Sequence, residues 1–340
     1  MAELARLSLE EVHEAAMQAL QANGVSEPHA RAIADTVTAA ERDECKSHGL
    51  FRIPGYVAAV RSGKVTPDAA PEVQDLAPGV VRVEGNNGFS PLALQVGREP
   101  LAQKARSQGI AVLAVNHAYH FAALWPETEA LAEMGLVALA CVSSMSYVAP
   151  AGGVKPLYGT NPMAFAWPRE GRSPLVFDQA SSASARGEIQ LHERDGRTIP
   201  AGWAIDAEGK PTTDPTAALA GAQLAFGGYK GAAIALMIEL LAGALIGDVF
   251  GFEASEIDND DGGPATGGEL VIAIDPGRCV SAGNRGAQLA HAETLFRKIV
   301  EQEGARLPSD RRYAARLRTP TEGITIPQTL YDTLQSLRAA

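Results

Sequence analysis

Three cysteines, Cys45, Cys141 and Cys279, are all that 340 residues contain, and no two form a Cys-x-x-Cys pair. An odd, scattered set of thiols excludes a disulfide framework and suits a reducing compartment, so a cytoplasmic location is expected. Basic residues are also scarce: 29 Lys and Arg against 40 Asp and Glu leave a net charge of −11. Duplex nucleic acid is bound through cations that neutralise phosphates, so no nucleic-acid partner is expected, and an anionic ligand must meet a local cluster of Arg or Lys. There is no uncharged apolar run of membrane-spanning length. The most apolar stretch, residues 231–247, is short, carries Glu239 at its middle and is rich in Ala and Gly, which reads as a buried helix with no membrane partner. The opening MAELARLSLEEV has no apolar signal core, so export is not expected.

The common chemical fingerprints are missing too. No Gly-x-Gly-x-x-Gly follows a strand and no Gly-x-x-x-x-Gly-Lys-Ser/Thr occurs, which removes the usual dinucleotide and P-loop signatures. A Gly-x-Ser-x-Gly elbow is absent, so serine-hydrolase chemistry has little support. His117-x-x-His120 has metal-ligand spacing, but no third ligand is visible nearby and no metal is expected.

What is present describes a globular protein: 46% hydrophobic and 20% charged residues, at a length suited to two domains or one elaborate domain. Ser8 followed by Glu11 is a capping box, which predicts a helix over residues 9–22 stopped by Asn23-Gly24. Ser26-Glu27-Pro28 opens a second helix to about Arg42, with Ala32, Ile33, Val37 and Ala40 on one apolar stripe. Pro54 restarts a short helix that Gly63 ends. Between residues 79 and 150 the pattern alternates, with strands over 80–84, 110–115 and 136–142 and helices over 91–108 and 121–134. Mixed α/β architecture follows. Short strands and turns, including 174–177 and a hairpin-like ERDGRTIPAG, are expected from Pro162 to Ala225. Two long helices, 229–246 and 284–304, then flank an acidic loop and an apolar strand at 270–274. A seam near residue 110 gives one domain of 1–110 plus 300–340 and another of 111–299, the last segment returning onto the N-terminal helices.

Four clusters carry chemistry. Ser47-His48-Gly49 with Arg52 places a hydroxyl, an imidazole and a guanidinium just past a helix end; an imidazole relays protons and a guanidinium clamps a carboxylate. A His capping helix carbonyls beside a solvated Arg is an equal account. Arg186-Gly187-Glu188 offers a second carboxylate-binding Arg and an acid able to orient an imidazole, or else a surface ion pair. Gly227-Gly228-Tyr229-Lys230-Gly231 precedes a long helix whose first N–H groups could face a phosphate, though a plain glycine turn explains it as well. The segment Arg306 to Arg312 concentrates three arginines in an acidic protein, suiting an extra phosphate or simply solvent.

Together these residues resemble the malate/L-lactate dehydrogenase family, which does not use a Rossmann domain. The marks of the family are Ser47-His48-Gly49 with Arg52, Gly159-Thr160-Asn161-Pro162, Phe-Gly-Gly-x-Lys-Gly at Phe226 to Gly231, and the late Arg-Leu-Pro. The stretch HFAALWPETEALAEMGLVAL is similar to the branch that reduces Δ1-piperideine-2-carboxylate and Δ1-pyrroline-2-carboxylate. The resemblance implies an α/β fold with a large, mostly antiparallel sheet and flanking helices, a homodimer, and NADPH as cofactor with NADH weaker. It places cofactor contacts at His120, Phe121, Ala122, Ala123, Leu124, Asp178, Gln179, Ala180, Tyr229, Lys230, Arg306, Leu307, Pro308, Ser309, Asp310, Arg311 and Arg312. Substrate contacts fall on Arg52, Thr160, Arg186 and Gly187, and a proton relay on Ser47, His48 and Glu188.

By that resemblance the chain reduces the two cyclic imines to L-proline and L-pipecolate, a place in proline or lysine metabolism. The alternatives are a dehydrogenase of 2-hydroxy acids such as malate, lactate or ureidoglycolate, and a nucleotide binder without activity. Two positions depart from the branch: Glu188 stands where Asp is usual, moving the carboxylate by roughly one C–C bond, and Tyr229 stands where His is usual, so no positive charge is available there for a phosphate.

Overall fold

The computed structural model describes residues 3–281 and 286–339. The chain opens with β1 (Leu4–Leu7), then α1 (Leu9–Ala22), α2 (Glu27–Arg42) and α3 (Ile53–Arg61). The capping box is formed: Ser8 Oγ accepts from Glu11 N–H and Glu11 accepts from Ser8 N–H, satisfying two N-terminal donors of α1. Ala16, Ile33, Val37, Leu50, Ile53, Tyr56 and Phe89 fill one core between these helices. The end of the chain closes that core, as β12 (Ile324–Pro327) pairs antiparallel with β1 and Leu334 of α12 (Gln328–Arg338) packs into it.

The larger layer is a seven-stranded sheet. It contains β2 (Glu72–Ala77), β3 (Val80–Phe89), β4 (Ile110–His120), β5 (Val137–Val142), β6 (Met163–Trp167), β7 (Leu175–Gln179) and β11 (Ala265–Ile274). Across the sheet the order is β2-β3-β4-β11-β5-β6-β7. Only β3 and β4 pair in parallel; the crossover between them is α4 (Ser90–Gln108). Successive side chains point to opposite faces of a strand. Val271 and Ala273 of β11 accordingly join Leu113 of β4, Leu101 of α4 and Leu131 of α5 (Trp125–Glu133) on one face. Leu270 packs on the other face with Cys141, Ile238 and Ala242. The sheet is therefore covered on both sides, and β11, arriving late in the sequence, is its centre.

Between β7 and β11 lies a small unit of α6 (Arg186–Arg194), β8 (Ala204–Ile205), β9 (Pro211–Thr212), α7 (Pro215–Ala220) and β10 (Ala222–Gln223), the three strands forming a sheet ordered β10-β8-β9. Here the expected hairpin is replaced: Glu193 and Arg194 end α6, whose single buried aliphatic, Ile189, packs on Ile199, Ala204 and Ala218. So short an apolar pattern has no readable period. The expected continuous helix over 229–246 is α8 (Tyr229–Ile238) followed by a π-helical turn, Glu239–Ala244. Then come α9 (Gly251–Ile257), α10 (Ala287–Val300) and α11 (Asp310–Glu322). The expected helix start at Asn284 lies outside the described residues. Residues 121–124, expected in a helix, form the turn between β4 and α5.

The seam expected near residue 110 falls between α4 and β4, whereas the sheet joins β2 and β3 to β4 across it. Among the described residues no helix is long and apolar enough to cross a membrane. One ion cluster pins the layers together. Arg316 of α11 forks onto Asp43 at the end of α2 (2.7 and 2.6 Å) and onto Glu129 of α5 (2.9 and 2.5 Å). Burial alone raises the pKa of Asp43, but hydrogen bonds from Arg316 and Arg42 outweigh it and hold the carboxyl below its ordinary range. This clamp fixes the segment that leads to Ser47.

Candidate active site

After α2 the chain breaks into two short 3₁₀ turns, Lys46–His48 and Leu50–Arg52, which face the end of β4 and the loops beyond β5 and β7. Glu41, buried in the last turn of α2, accepts the Leu50 N–H at 2.8 Å and holds the turns in place. Gly49 passes so close to Glu41 that a Cβ there would collide with its carboxylate.

Two adjoining cavities open where these segments meet. The first, about 310 Å³, is lined by His48, Arg52, His120, Phe121, Thr160, Arg186 and Gly187, among others. The second, about 330 Å³, is lined by Ser47, Ala122–Leu124, Asp178–Ala180 and Arg312. His48, Ala122, Thr160, Pro162 and Ala185 form the wall they share. The structure thus gathers every expected substrate residue around the first cavity and a large part of the expected cofactor set around the second.

The first cavity has two guanidiniums on one side, Arg52 and Arg186, and the carboxylates of Asp258 and Asp260 elsewhere in its lining. Arg52 donates from Nε to Ser47 O at 2.7 Å, and its guanidinium lies 4.4 Å from the centre of the Phe121 ring. Arg186 sits 3.9 Å over Tyr147 and donates to Leu219 O at 3.2 Å. Among the described residues neither guanidinium has a carboxylate within ion-pair distance, and burial lowers the pKa of both. Partly desolvated cations held against aromatic faces, with no protein anion paired to them, are built to receive an anionic ligand. Gly187 lies close beneath this group: a Cβ there would come to 3.0 Å from the Arg52 guanidinium, which would have to shift slightly.

Ser47 Oγ and His48 Nδ1 lie 3.0 Å apart. Burial, with Arg52 as a like charge, pushes the His48 pKa down to about 3, so this imidazole is neutral at physiological pH. The acid expected to orient it does not. Glu188 points along α6 to His192, 3.6 Å away, and is 44% exposed. Its place near the end of that helix's first turn aims the carboxylate out of the cavity. The carboxylate that does back an imidazole here was not anticipated: Glu269 of β11, 1% exposed, lies 2.9 Å from His120 Nδ1. A single Glu inside the apolar run GELVIAI was the signal that could have found it. His117 pairs instead with Glu84 at 2.7 Å, so the two histidines of His-x-x-His serve different partners.

In the second cavity Asp178 accepts the Leu124 and Trp125 N–H groups at 2.9 and 3.0 Å, anchoring the turn 122–124 on the positive end of α5. Burial raises its pKa, partly offset by those two bonds. Arg312 stacks 4.8 Å over Trp125 and donates to Val176 O, where Ser309 also donates. Cys45 lines the same cavity with its thiol pushed up to about 11 by burial, hence protonated.

The remaining expected cofactor residues lie elsewhere on the chain. Leu307 is buried, and with Asp310 it borders a separate cavity beside Arg169, Phe296 and Arg297. Arg306, Pro308 and Arg311 are exposed. Tyr229 is 71% exposed at the start of α8, next to Lys230, and it borders a fourth cavity with Pro150 and Gly152. The second cavity fits a nicotinamide dinucleotide in two respects: Arg312 offers a cation to a phosphate, and the Asp178-anchored turn presents a rigid wall for a flat ring.

Known proteins share this fold. The sequence matches the malate/L-lactate dehydrogenase family over residues 7–335. It is 55% identical to a Delta(1)-pyrroline-2-carboxylate/Delta(1)-piperideine-2-carboxylate reductase of Pseudomonas aeruginosa, covering 98% of this chain and 99% of that one. A Delta(1)-pyrroline-2-carboxylate reductase of Ancylobacter novellus is 51% identical, over 99% of this chain and 98% of its own. The crystal structure of delta1-piperideine-2-carboxylate reductase from Pseudomonas syringae superposes with a TM-score of 0.91 at 42% identity, covering 98% and 99% of the two chains. With its central β11, its paired cavities and this end-to-end similarity, the chain belongs to the malate/L-lactate dehydrogenase family.

Proposed function

We propose that this protein is an oxidoreductase that reduces Δ1-pyrroline-2-carboxylate and Δ1-piperideine-2-carboxylate to L-proline and L-pipecolate, using NADPH. The observation that carries the assignment is the pair Arg52 and Arg186, two guanidiniums with no carboxylate at ion-pair distance among the described residues, lining a cavity that adjoins a second one of about 330 Å³. The names borne by the relatives of about 50% identity support the same substrate class.

A nicotinamide cofactor, when bound, supplies a hydride. The protein must then hold the substrate carboxylate, protonate the ring nitrogen and keep water out. Arg52 and Arg186, with the Thr160 hydroxyl, bind the carboxylate and so fix the carbon that bears it. Phe121, Val142, Met145 and Pro162 give the ring an apolar wall. Neutral His48 carries no spare proton, so it acts as a relay with the Ser47 hydroxyl. His120 is the imidazole with a buried carboxylate behind it, 2.9 Å from its Nδ1, an arrangement that orients the ring and leaves Nε2 to face the ring nitrogen. Arg312, the one arginine lining the second cavity, is the cation that would meet the extra phosphate of NADPH.

A homodimer is part of the same proposal. Leu236, Met237, Leu240 and Leu245 stand exposed along α8 and the π turn, an apolar face that a second copy would cover. Light scattering should give twice the chain mass, and a monomer at micromolar concentration would refute it. The scattered thiols suit a cytoplasmic enzyme.

The decisive assay is loss of NADPH absorbance with Δ1-pyrroline-2-carboxylate, run beside NADH and beside pyruvate and oxaloacetate. Fast consumption of NADPH with the imine is expected. Turnover of a keto acid well above the imine would reassign the chain to 2-hydroxy acid oxidation.

A further inference from the structure

The Gly159–Pro162 corner carries Thr160 into the wall between the two cavities, and its backbone is forced. Asn161 is fully buried with φ +37°, a left-handed conformation that a non-glycine residue keeps only when its surroundings hold it. What holds it is the helix that carries Ala235, whose carbonyl accepts from Asn161 Nδ2 at 3.0 Å, and the carboxylate that follows it. Glu239, 4% exposed and the first residue of the π turn, accepts the Asn161 Nδ2–H at 2.8 Å and the Gly159 N–H at 3.2 Å on Oε1. Its other oxygen, Oε2, accepts the Gly251 N–H at 2.8 Å. Gly251 begins α9, which leads into the loop whose Asp258, Asp260, Gly262 and Gly263 line the opposite wall of the first cavity.

We infer that Glu239 is a positioning residue: it ties the Thr160 corner and the α9 loop together, and so sets the width of the substrate cavity. This deepens the proposed function and rests on Thr160 facing the substrate. Three N–H donors converge on Glu239, and among the described residues it has no cationic partner. That geometry calls for an acceptor on both oxygens. Glutamine cannot replace it, because either orientation of the amide sets an NH₂ against an N–H donor. Space is closed as well. A Cβ on Gly251 would come within 2.8 Å of Glu239 Oε1 and 2.6 Å of Ser144 O, and one on Gly159 would collide with Asn161 Oδ1. The corner and the start of α9 therefore move as one unit with Glu239. The wide π turn begins on this residue, and such turns recur where a helix serves a site.

The test compares Glu239→Gln, Thr160→Ala and the double variant, read by amide exchange and by kinetics. Glu239→Gln is expected to speed exchange at residues 159–161 and 251 and to raise KM for the imine about tenfold, with kcat and the NADPH Kd changed less than about twofold. On the Thr160→Ala background its effect on KM should shrink severalfold, as coupling through a shared contact requires. Unchanged exchange at the corner overturns the inference whatever the substrate is. Faster exchange with unchanged KM, or an undiminished effect without Thr160, overturns it too. If the wild type turns over no imine, the functional assignment fails by itself and the exchange data decide the role of Glu239. Glu239→Asp, one methylene shorter, serves if the Gln variant does not fold.

Discussion

Replacing Arg52 by Met separates what this cation does for substrate from what it does for the fold. Arg52 makes one hydrogen bond, to Ser47 O at 2.7 Å, and lies on Phe121; it has no carboxylate partner among the described residues. Losing a charged hydrogen bond costs roughly 1.5–3 kcal/mol and losing the aromatic contact about 1. Against this, a partly buried unpaired cation carries a desolvation penalty of a few kcal/mol, which Met of similar length removes while keeping the packing. The two sides nearly offset, so stability should change by no more than about 1–2 kcal/mol, a shift in Tm of a few degrees for a chain of this size. Binding has no such compensation. A carboxylate that loses one arm of its clamp inside the cavity forfeits about 3–4 kcal/mol, or roughly 10²–10³ in kcat/KM. The variant should therefore melt near wild type, bind NADPH normally in a fluorescence titration, and lose nearly all turnover of Δ1-pyrroline-2-carboxylate through a raised KM. Equal weakening of NADPH and imine, or a loss of stability beyond about 4 kcal/mol, would refute the reasoning, since either would make Arg52 a structural residue.

Two further outcomes follow from the same geometry. Glu269→Gln should lower kcat about 10²-fold, because His120 loses the carboxylate that orients it; Glu188→Ala should change kcat less than about threefold, and the reverse order would restore Glu188 to the relay. Stability should depend on pH through His48, whose folded pKa lies near 3: below about pH 6.5 the unfolded chain takes up a proton that the folded chain refuses, so acid costs about 1.4 kcal/mol per pH unit from this residue alone. Glu41, Glu127 and Asp178, all raised by burial, pull in the opposite direction, so the measurement is the difference between wild type and His48→Gln in urea midpoints from pH 7 to pH 4. Parallel curves would show that His48 is not held neutral.

Helices with strong local punctuation were legible in the chain. The Ser8–Glu11 box, Pro28 near the start of α2 and Gly109 behind α4 each set a boundary through contacts within a few residues. Where the outcome depended on distant packing, local pattern fell short. The run 229–247 is helical by composition, yet it widens into a π turn at Glu239, whose partners lie at Gly159, Asn161 and Gly251. Residues 186–194 are too short and too polar to show a period, and only the apolar patch around Ile189 makes them helical.

The site divides in the same way. Side-chain type was enough to mark Ser47, His48, Arg52 and Arg186 as candidates, because a hydroxyl, an imidazole and guanidiniums carry their chemistry wherever they stand, while Thr160 came from the family resemblance. Which acid meets which imidazole depends on where strands lie in space. Glu188, near Arg186 in sequence, follows the turn of α6 toward His192, whereas Glu269, about 150 positions beyond His120, reaches it within the packed sheet, past the irregularity in the pairing of β11 with β4 at residues 267–269. The sequence by itself determined the α/β class, the boundaries of the helices with strong local caps and the kinds of group available for catalysis, since these depend on near neighbours and residue chemistry. The tertiary structure alone decided the central place of β11, the pairing of His120 with Glu269 and the hold of Glu239 on the Thr160 corner, because each is a contact between residues that only the packed sheet brings together.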